Sequence, residues 1–329
     1  MSSLPRVAAT IALLMAGAAN AQAPRVAADV APVHSLVARV MDGVGSPALI
    51  VPPGASPHDH ALRPSEAAAV QDASLIFWIG PALTPQLADA LGTLAPEADA
   101  VALLDLPATR VLPFREGALF EAHDHGDGHD HDHGHDHEHD HGHDHDGDHA
   151  ATGGHGHHEG AADPHAWLSP GNAAAWLDAI AARLGEADPA NAADYRANAA
   201  AGRNELAALS AEIDAMVAPV RDGRFVVFHD AYQYFEDAFG LEASGAISLG
   251  DASAPSPGRI AEIRDRIADE QVGCVLAEPQ FDQGLVATVM DGTAARTGVL
   301  DPLGAALEPG PDLYPAMMRG LAQALADCL

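Results

Sequence analysis

Three histidines of this 329-residue chain occupy positions where ligand sites form in α/β proteins. His58 and His229 follow apolar runs that predict strands, as Asp301 does, and His165 lies in the proline-bounded turn DPHAWLSP. Because ligands bind at the carboxyl ends of parallel strands, we expect these four side chains to converge. Three imidazoles and one oxygen suit tetrahedral Zn²⁺, whereas Ca²⁺ and Mg²⁺ prefer oxygen ligands alone.

Three aspartates close to these histidines in sequence suggest how the imidazoles are oriented. Asp59, Asp163 and Asp230 each lie within two residues of a candidate ligand. Metal-bound imidazoles usually donate their second ring N–H to a carboxylate or a carbonyl. The same aspartates could instead cap turns, and the sequence leaves both interpretations open.

Residues 121–159 form a segment built from His, Asp and Gly. It holds 15 of the 20 histidines and 12 of the 47 acidic residues. The segment has no apolar period, so we expect a disordered insertion that offers many weak metal sites. Histidine must lose its proton to bind metal, so this capacity should fade below about pH 6. We expect the segment to capture zinc and pass it to the predicted histidine site, or to sense zinc; a solvated linker is the alternative.

Composition excludes several functional classes. The 16 basic residues against 47 acidic ones give a net charge of −31, which makes nucleic acid a poor partner. All 16 basic residues are arginine. A phosphate-binding loop with its lysine and a lysine Schiff-base enzyme are therefore both excluded.

The elements that must position these residues alternate between strands and helices. Such alternation predicts βαβ units and a mostly parallel sheet in each of two Rossmann-like α/β lobes. A long Ala-rich helix, with Asp188 as its N-cap and Pro189 in its first turn, connects the lobes and would reach roughly 40 Å. The expected units are an N-terminal lobe at 22–188, a connecting helix at 189–218 and a C-terminal lobe at 219–329. Predicted strands lie at 25–32, 48–52, 74–79, 101–104, 224–228, 272–276 and 296–300, and predicted helices at 35–41, 64–71, 85–91, 172–184, 189–217 and 260–270.

The first 21 residues are typical of an export signal. Arg6 precedes a short apolar stretch, and the small residues at 19–21 form a cleavage site. A buried N-terminal helix is the alternative. No later segment is apolar over ~20 residues, so we expect no membrane insertion. Export to an oxidising compartment would favour a disulfide between Cys274 and Cys328 over two free thiols.

Five motifs in one order give the chain a recognisable pattern. It resembles the periplasmic zinc-binding proteins of bacterial high-affinity zinc ABC importers, within the metal-binding cluster of solute-binding proteins. A charged His-rich insertion before DPHAWLSP is also typical of that family. The matching stretches are GASPHD with LRPSE, DPHAWLSP, FHDAYQYF, AEPQF and LDPLG.

The resemblance implies two α/β lobes joined by a rigid helix, with a metal ion in the cleft between them. Carried over motif by motif, His58 and His165 are ligands from the N-terminal lobe and His229 is one from the C-terminal lobe. Asp301 falls where manganese-binding relatives place a carboxylate, although the zinc branch can use water or another side chain there. Manganese relatives tend to have Glu at the position of His229, which favours zinc.

The resemblance also bears on residues outside this ligand set. His60 stands where the family often has Tyr, so it is either an extra donor or a surface residue. His34 is expected to be structural, although it could approach the cleft. The family often pairs a strand cysteine with a C-terminal one, as Cys274 and Cys328 would pair. The implied partners are a zinc ion and a membrane permease, and we expect a monomer.

Two other functions are compatible with the sequence. A zinc hydrolase also needs three histidines and a labile water, and Glu278 in AEPQF is the best candidate for its general base. Alternatively, the protein is a periplasmic metal buffer that acts through the His-rich segment alone.

Overall fold

The computed structural model describes residues 23–115, 162–248, 255–281 and 283–329. The predicted export signal at 1–21 and the predicted His-rich insertion at 121–159 lie outside this described part. Each half of the described chain contains one four-stranded sheet in which every strand pair is parallel. The α/β fold class with two parallel sheets is thus confirmed.

The N-terminal half is built on a sheet with strand order β2-β1-β3-β4. Its interior strand β3 has the sequence LIFW, and all four residues are buried. Helices cover both faces of a parallel sheet, so such a strand is a continuous apolar run. The elements are β1 (Val26–Ala28), α1 (Ala31–Val40), β2 (Ala48–Leu49), α2 (Pro64–Asp72), β3 (Leu75–Trp78), α3 (Pro85–Leu94) and β4 (Asp99–Ala102).

Two helices in the second described range lead to the C-terminal half. They are α4 (Pro170–Ala187) and α5 (Ala192–Val217), and they pack against each other. At 1.5 Å per residue, the 26 residues of α5 span about 39 Å. This length agrees with the predicted connecting helix.

The C-terminal half repeats the arrangement, with strand order β6-β5-β7-β8. Strand β6 and the helices α6, α8 and α9 are absent from the sequence-based prediction. The elements are β5 (Phe225–His229), α6 (Gln233–Phe239), β6 (Gly245–Ser248), α7 (Pro257–Asp269), β7 (Cys274–Ala277), α8 (Gln283–Met290), β8 (Arg296–Val299) and α9 (Leu313–Cys328).

The predicted start of the connecting helix is wrong. Asp188 does not cap α5; its backbone N–H donates to the Leu184 carbonyl and closes α4. The Asp188 carboxylate then accepts hydrogen bonds from Asn191 (2.6 Å) and from the Tyr195 hydroxyl (3.0 Å). These bonds turn the chain between the two helices, so α5 begins only after Asn191.

The predicted end of the first strand, at residue 32, is also wrong. The strand stops at Ala28, because the Asp29 carboxylate accepts the backbone N–H groups of Val30 and Ile79, both at 2.8 Å. These bonds redirect the chain into α1. Pro32 fits the first turn of that helix, where its missing N–H has no partner to lose.

The C-terminal helix α9 holds several elements together. It packs against α5, α1 and β8. Its last residue, Cys328, forms a disulfide with Cys274, the first residue of β7, as the sequence predicts. Gly298 on β8 allows this close approach, because an added Cβ would lie 2.9 Å from Leu276 and 3.4 Å from Cys328.

Buried hydrogen bonds join the two halves beside the DPHAWLSP turn. The Trp167 indole N–H donates to the Pro302 carbonyl, and the Tyr314 hydroxyl donates to the Trp167 carbonyl, both at 2.8 Å. The backbone N–H of Tyr314 also donates to the Ser35 hydroxyl at 2.9 Å. The turn that carries His165 is therefore fixed against the C-terminal half.

Candidate metal centre

Three histidines from separate segments meet between the two halves. His229 is the last residue of β5, His165 precedes a short 3₁₀ turn, and His58 lies in the turn after β2. One ring nitrogen from each lies within 4.8 Å of those of the other two. His165 and His229 are 3 % and 5 % exposed, so both residues are almost fully removed from solvent.

Two carboxylates orient two of these rings. The Nδ1 of His165 lies 2.7 Å from Asp163 Oδ1, and the Nδ1 of His229 lies 2.6 Å from Glu278 Oε1. A carboxylate only accepts hydrogen bonds, so each Nδ1 carries the proton and donates it. In the neutral tautomers, the lone pair of each imidazole is therefore on Nε2.

The two Nε2 atoms of His165 and His229 face each other at 3.4 Å. Two lone pairs at this distance repel each other unless a cation lies between them. Tetrahedral zinc with Zn–N bonds of 2.0–2.1 Å places two ligand nitrogens about 3.3–3.4 Å apart. The separation thus fits one divalent ion held by both rings.

The cavity beside the histidines is small and mostly apolar. It measures about 20 Å³, enough for an ion or a water-sized occupant and too little for an organic molecule. Phe281 packs with its ring 5.3 Å from His229. The remaining lining residues are Ser56, Pro57, Trp167, Glu278, Gln280, Pro302 and Leu303.

Asp301 is not part of the group that the three histidines form. Its Oδ1 accepts hydrogen bonds from the Gln280 amide at 3.1 Å and from the Leu303 backbone at 3.2 Å. Its Oδ2 accepts the Ala305 backbone N–H at 2.6 Å. These bonds hold the turn after β8, and the role of Asp301 as fourth ligand stays a prediction.

His60 and His34, which the sequence analysis considers as possible further donors, form hydrogen bonds outside the three-histidine group. His60 Nε2 lies 2.8 Å from the Glu66 carboxylate, which also accepts the Arg63 backbone N–H at the start of α2. His34 is buried in α1, and its Nε2 donates to the Pro47 carbonyl at 3.1 Å. Neither ring belongs to the three-histidine group.

The three aspartates expected to orient the ligands differ in position. Asp163 binds His165, as the sequence suggests. Asp59 is exposed, and Asp230 pairs with Arg115 instead of with His229. The carboxylate on His229 is Glu278, which the sequence analysis considers only as a general base. The motif AEPQF was the available signal, because its strand lies next to β5 in the sheet.

A network of hydrogen bonds around Arg115 extends to the metal centre, and the sequence analysis does not predict it. Its Nε donates to Asp230 Oδ1 at 3.0 Å, and its Nη1 donates to Glu236 Oε2 at 2.7 Å. Burial alone would lower the pKa of the Arg115 guanidinium, but the carboxylates of Glu236 and Asp230 raise it above its usual value. The cation is thus fixed beside the residue that follows His229.

The chain ends that border residues 116–161 are joined at the same place. Pro113 and Ala162 form an antiparallel bridge, and the Asp163 N–H donates to the Leu112 carbonyl at 2.9 Å. The Tyr234 hydroxyl on α6 accepts from the Leu112 N–H and donates to the Asp163 carbonyl, both at 2.9 Å. This stem places Asp163, and with it His165, against the C-terminal half.

A family model matches almost all of the described sequence. Residues 26–328 match the family described as ZnuA, the periplasmic component A of a zinc-uptake complex. Among the described residues, no helix combines the length and the apolarity that a bilayer crossing needs.

Known relatives resemble the chain over nearly its full length. It is 50% identical over 304 residues to the high-affinity zinc uptake system protein ZnuA of Brucella abortus, covering 92% of this chain and 91% of that protein. The protein of the same name from Paracoccus denitrificans is 47% identical, with 94% and 93% covered. The structure of the periplasmic zinc-binding protein TroA from Treponema pallidum superposes with a TM-score of 0.70 at 17% identity, covering 93% of this chain and 98% of that one. This last likeness supports the two-lobed fold.

Proposed function

The chain belongs to the family of periplasmic zinc-uptake components, and from that premise we propose that His58, His165 and His229 together bind one Zn²⁺ ion. The ion is the transported substrate, which the protein delivers to the membrane permease of an ABC importer. The family consists of transport proteins, so the chain is not an enzyme.

One observation carries the proposal. Asp163 and Glu278 each hold a histidine Nδ1–H, and the two opposed Nε2 atoms lie 3.4 Å apart. This arrangement is unfavourable without a cation and matches the nitrogen separation of tetrahedral zinc. Carboxylate partners also raise the basicity of the ligand and fix its orientation.

The donor set favours zinc among the common divalent ions. Imidazole nitrogens suit Zn²⁺ and other late transition metals, whereas manganese, magnesium and calcium sites are richer in oxygen. The carboxylates of Asp163 and Glu278 are engaged with the rings of His165 and His229. The nitrogen ligands of the proposed shell therefore outnumber its oxygen ligands.

The geometry argues against the hydrolase alternative, because the candidate general base Glu278 is already engaged. Glu278 is 1 % exposed and accepts the His229 Nδ1–H, so its carboxylate serves the ligand. The cavity of about 20 Å³ has no room for an ester or a peptide. Both features support binding and release of an ion.

Zinc affinity of single-histidine variants tests the proposal. Zinc is supplied to the full chain below one equivalent, in competition with a chelator, so that the tightest site is measured. We expect His58→Ala, His165→Ala and His229→Ala each to weaken binding by at least about 100-fold. His60→Ala is the matched control and should bind as the unaltered protein does. Undiminished affinity in the three variants would leave the His-rich segment as the main site, as the buffer hypothesis requires.

We further propose that the His-rich segment at 121–159 is an auxiliary zinc-acquisition element. Its support is the density of 15 histidines and the position of Asp163 just after it. Deleting 121–159 should lower the number of zinc ions bound per protein and leave the tightest site intact. An unchanged stoichiometry would contradict the proposal.

Export and delivery complete the proposed function. Residues 1–21 are proposed to be cleaved, so mass spectrometry of periplasmic protein should find Gln22 as the first residue. Zinc uptake into vesicles that contain the permease should require the zinc-loaded protein. Uptake from free zinc alone at the same rate would contradict delivery.

A further inference from the structure

The Gln280 side chain lines the cavity next to the three histidines and is held at one end only. Its Nε2 donates to Asp301 Oδ1 at 3.1 Å. Its Oε1 is buried, and no described residue of the chain provides a hydrogen bond to it. Buried polar atoms are nearly always paired, so this oxygen calls for a donor that the described chain does not supply.

Asp301 determines which way the Gln280 amide faces. A carboxylate has no proton to donate, so only the NH₂ end of the amide can face it. The opposite amide orientation would bring two acceptor oxygens together. The Asp301 carboxylate is itself held by the backbone N–H groups of Leu303 and Ala305. Asp301 therefore anchors Gln280 and fixes Oε1 as an acceptor at the cavity.

The hydrogen bonds of Asp301 favour a fourth ligand other than its carboxylate. Asp301 Oδ1 already accepts from the Gln280 amide and from the Leu303 backbone N–H, and Oδ2 accepts the Ala305 backbone N–H at 2.6 Å. Ligation of zinc through Oδ1, the oxygen that binds Gln280, would displace one of these donors, whereas a water molecule in the fourth position displaces none.

We propose that a water molecule completes the tetrahedral zinc shell and donates a hydrogen bond to Gln280 Oε1. Gln280 is then a positioning residue, and Asp301 acts through Gln280 without touching the ion. This inference rests on the proposed function, because it requires zinc at the three histidines.

A double-mutant cycle tests the connection between the two side chains. We expect Gln280→Leu and Asp301→Asn each to weaken zinc binding by about 10–100-fold, the usual effect of losing an outer-shell partner. The double variant should lose no more than either single variant, because both changes remove the same hydrogen bond to water. If Asp301 binds zinc directly, Asp301→Asn will lose far more than Gln280→Leu, and the two losses will add.

Cobalt spectroscopy supplies a readout that a folding defect would not change. Co²⁺ in the site should give a tetrahedral visible spectrum that changes with pH as the bound water ionises. Water is a stronger hydrogen-bond donor than hydroxide, so Gln280→Leu should move the midpoint of this change to lower pH. Absence of the transition in the unaltered protein, or an unchanged midpoint in the variant, would overturn the inference.

Two comparisons separate the possible failures. Gln323→Leu is the matched control, because the Gln323 amide also donates to an aspartate, at 2.7 Å, but on an exposed face of α9. This variant should leave zinc affinity unchanged. If His58→Ala and His165→Ala weaken binding and Gln280→Leu does not, only the water-positioning role fails. If the histidine variants have no effect, the proposed function itself fails.

Discussion

Arg115 and Asp230 form a partly buried ion pair that connects the N-terminal half to the residue after His229. Glu236 on α6 binds the other side of the guanidinium, at 2.7 Å and 3.0 Å. The cation thus holds the turn between β5 and α6 from the N-terminal half. Because His229 ends β5, this ion pair contributes to the position of a proposed ligand.

Replacing Arg115 should therefore affect both stability and zinc binding. Arg115→Gln leaves the buried Glu236 carboxylate and the partly buried Asp230 carboxylate without their cation, a change that costs up to about 3–5 kcal/mol in the free energy of unfolding. Urea unfolding measures this loss, and chelator competition should show weaker zinc binding. Arg203→Gln removes the exposed ion pair between Arg203 and Asp178 and should change the unfolding free energy by less than about 1 kcal/mol. Equal effects of the two variants would contradict the role assigned to Arg115.

Glu278 offers a direct test of ligand orientation. Glu278→Gln keeps an oxygen that can accept the His229 Nδ1–H but removes the negative charge. We expect zinc affinity to fall by about 10–100-fold, because the ring becomes less basic. Asp59→Asn is the control, since Asp59 is exposed. Unchanged affinity in Glu278→Gln, with an unfolding midpoint equal to that of the unaltered protein, would show that this carboxylate does not tune the ligand.

Much of the fold and of the site followed from local sequence. Apolar runs predict interior strands such as β3 because burial on both faces leaves no place for polar residues. The motifs around His58, His165 and His229 predict a common site, and the structure brings those rings together.

Pairings between side chains far apart in the chain could not be predicted from the sequence. The partners Arg115 and Asp230 are 115 residues apart, and Gln280 in the turn after β7 binds Asp301 in the turn after β8. Neither pairing leaves a periodic or compositional signal in the chain. The position of Asp188 is ambiguous for a local reason, because an Asp before a proline suits both the end of one helix and the start of the next.

The disulfide should stabilise the C-terminal half without affecting the metal centre. Cys274 and Cys328 are 54 residues apart, and closing such a loop is worth about 4 kcal/mol in the chain-entropy model. We expect the double variant Cys274→Ala and Cys328→Ala to lose up to about that amount in urea unfolding. Zinc affinity should remain unchanged, because Cys274 begins β7 and the ligand partner Glu278 follows its other end. A large loss of zinc affinity in a folded double variant would refute this separation.

His34 should make stability depend on pH in the mildly acidic range. Burial lowers its pKa below the usual 6.5, opposed by the hydrogen bond to the Pro47 carbonyl. As pH falls through 6.5, the unfolded chain binds this proton before the folded protein does, so the free energy of unfolding decreases. The contribution is complete above about pH 6.5 and is lost progressively below it. His34→Gln keeps an N–H donor for Pro47 and does not titrate, so its urea midpoint should decline less than that of the unaltered protein between pH 7.5 and pH 5. Parallel pH curves for the two proteins would show that His34 does not contribute.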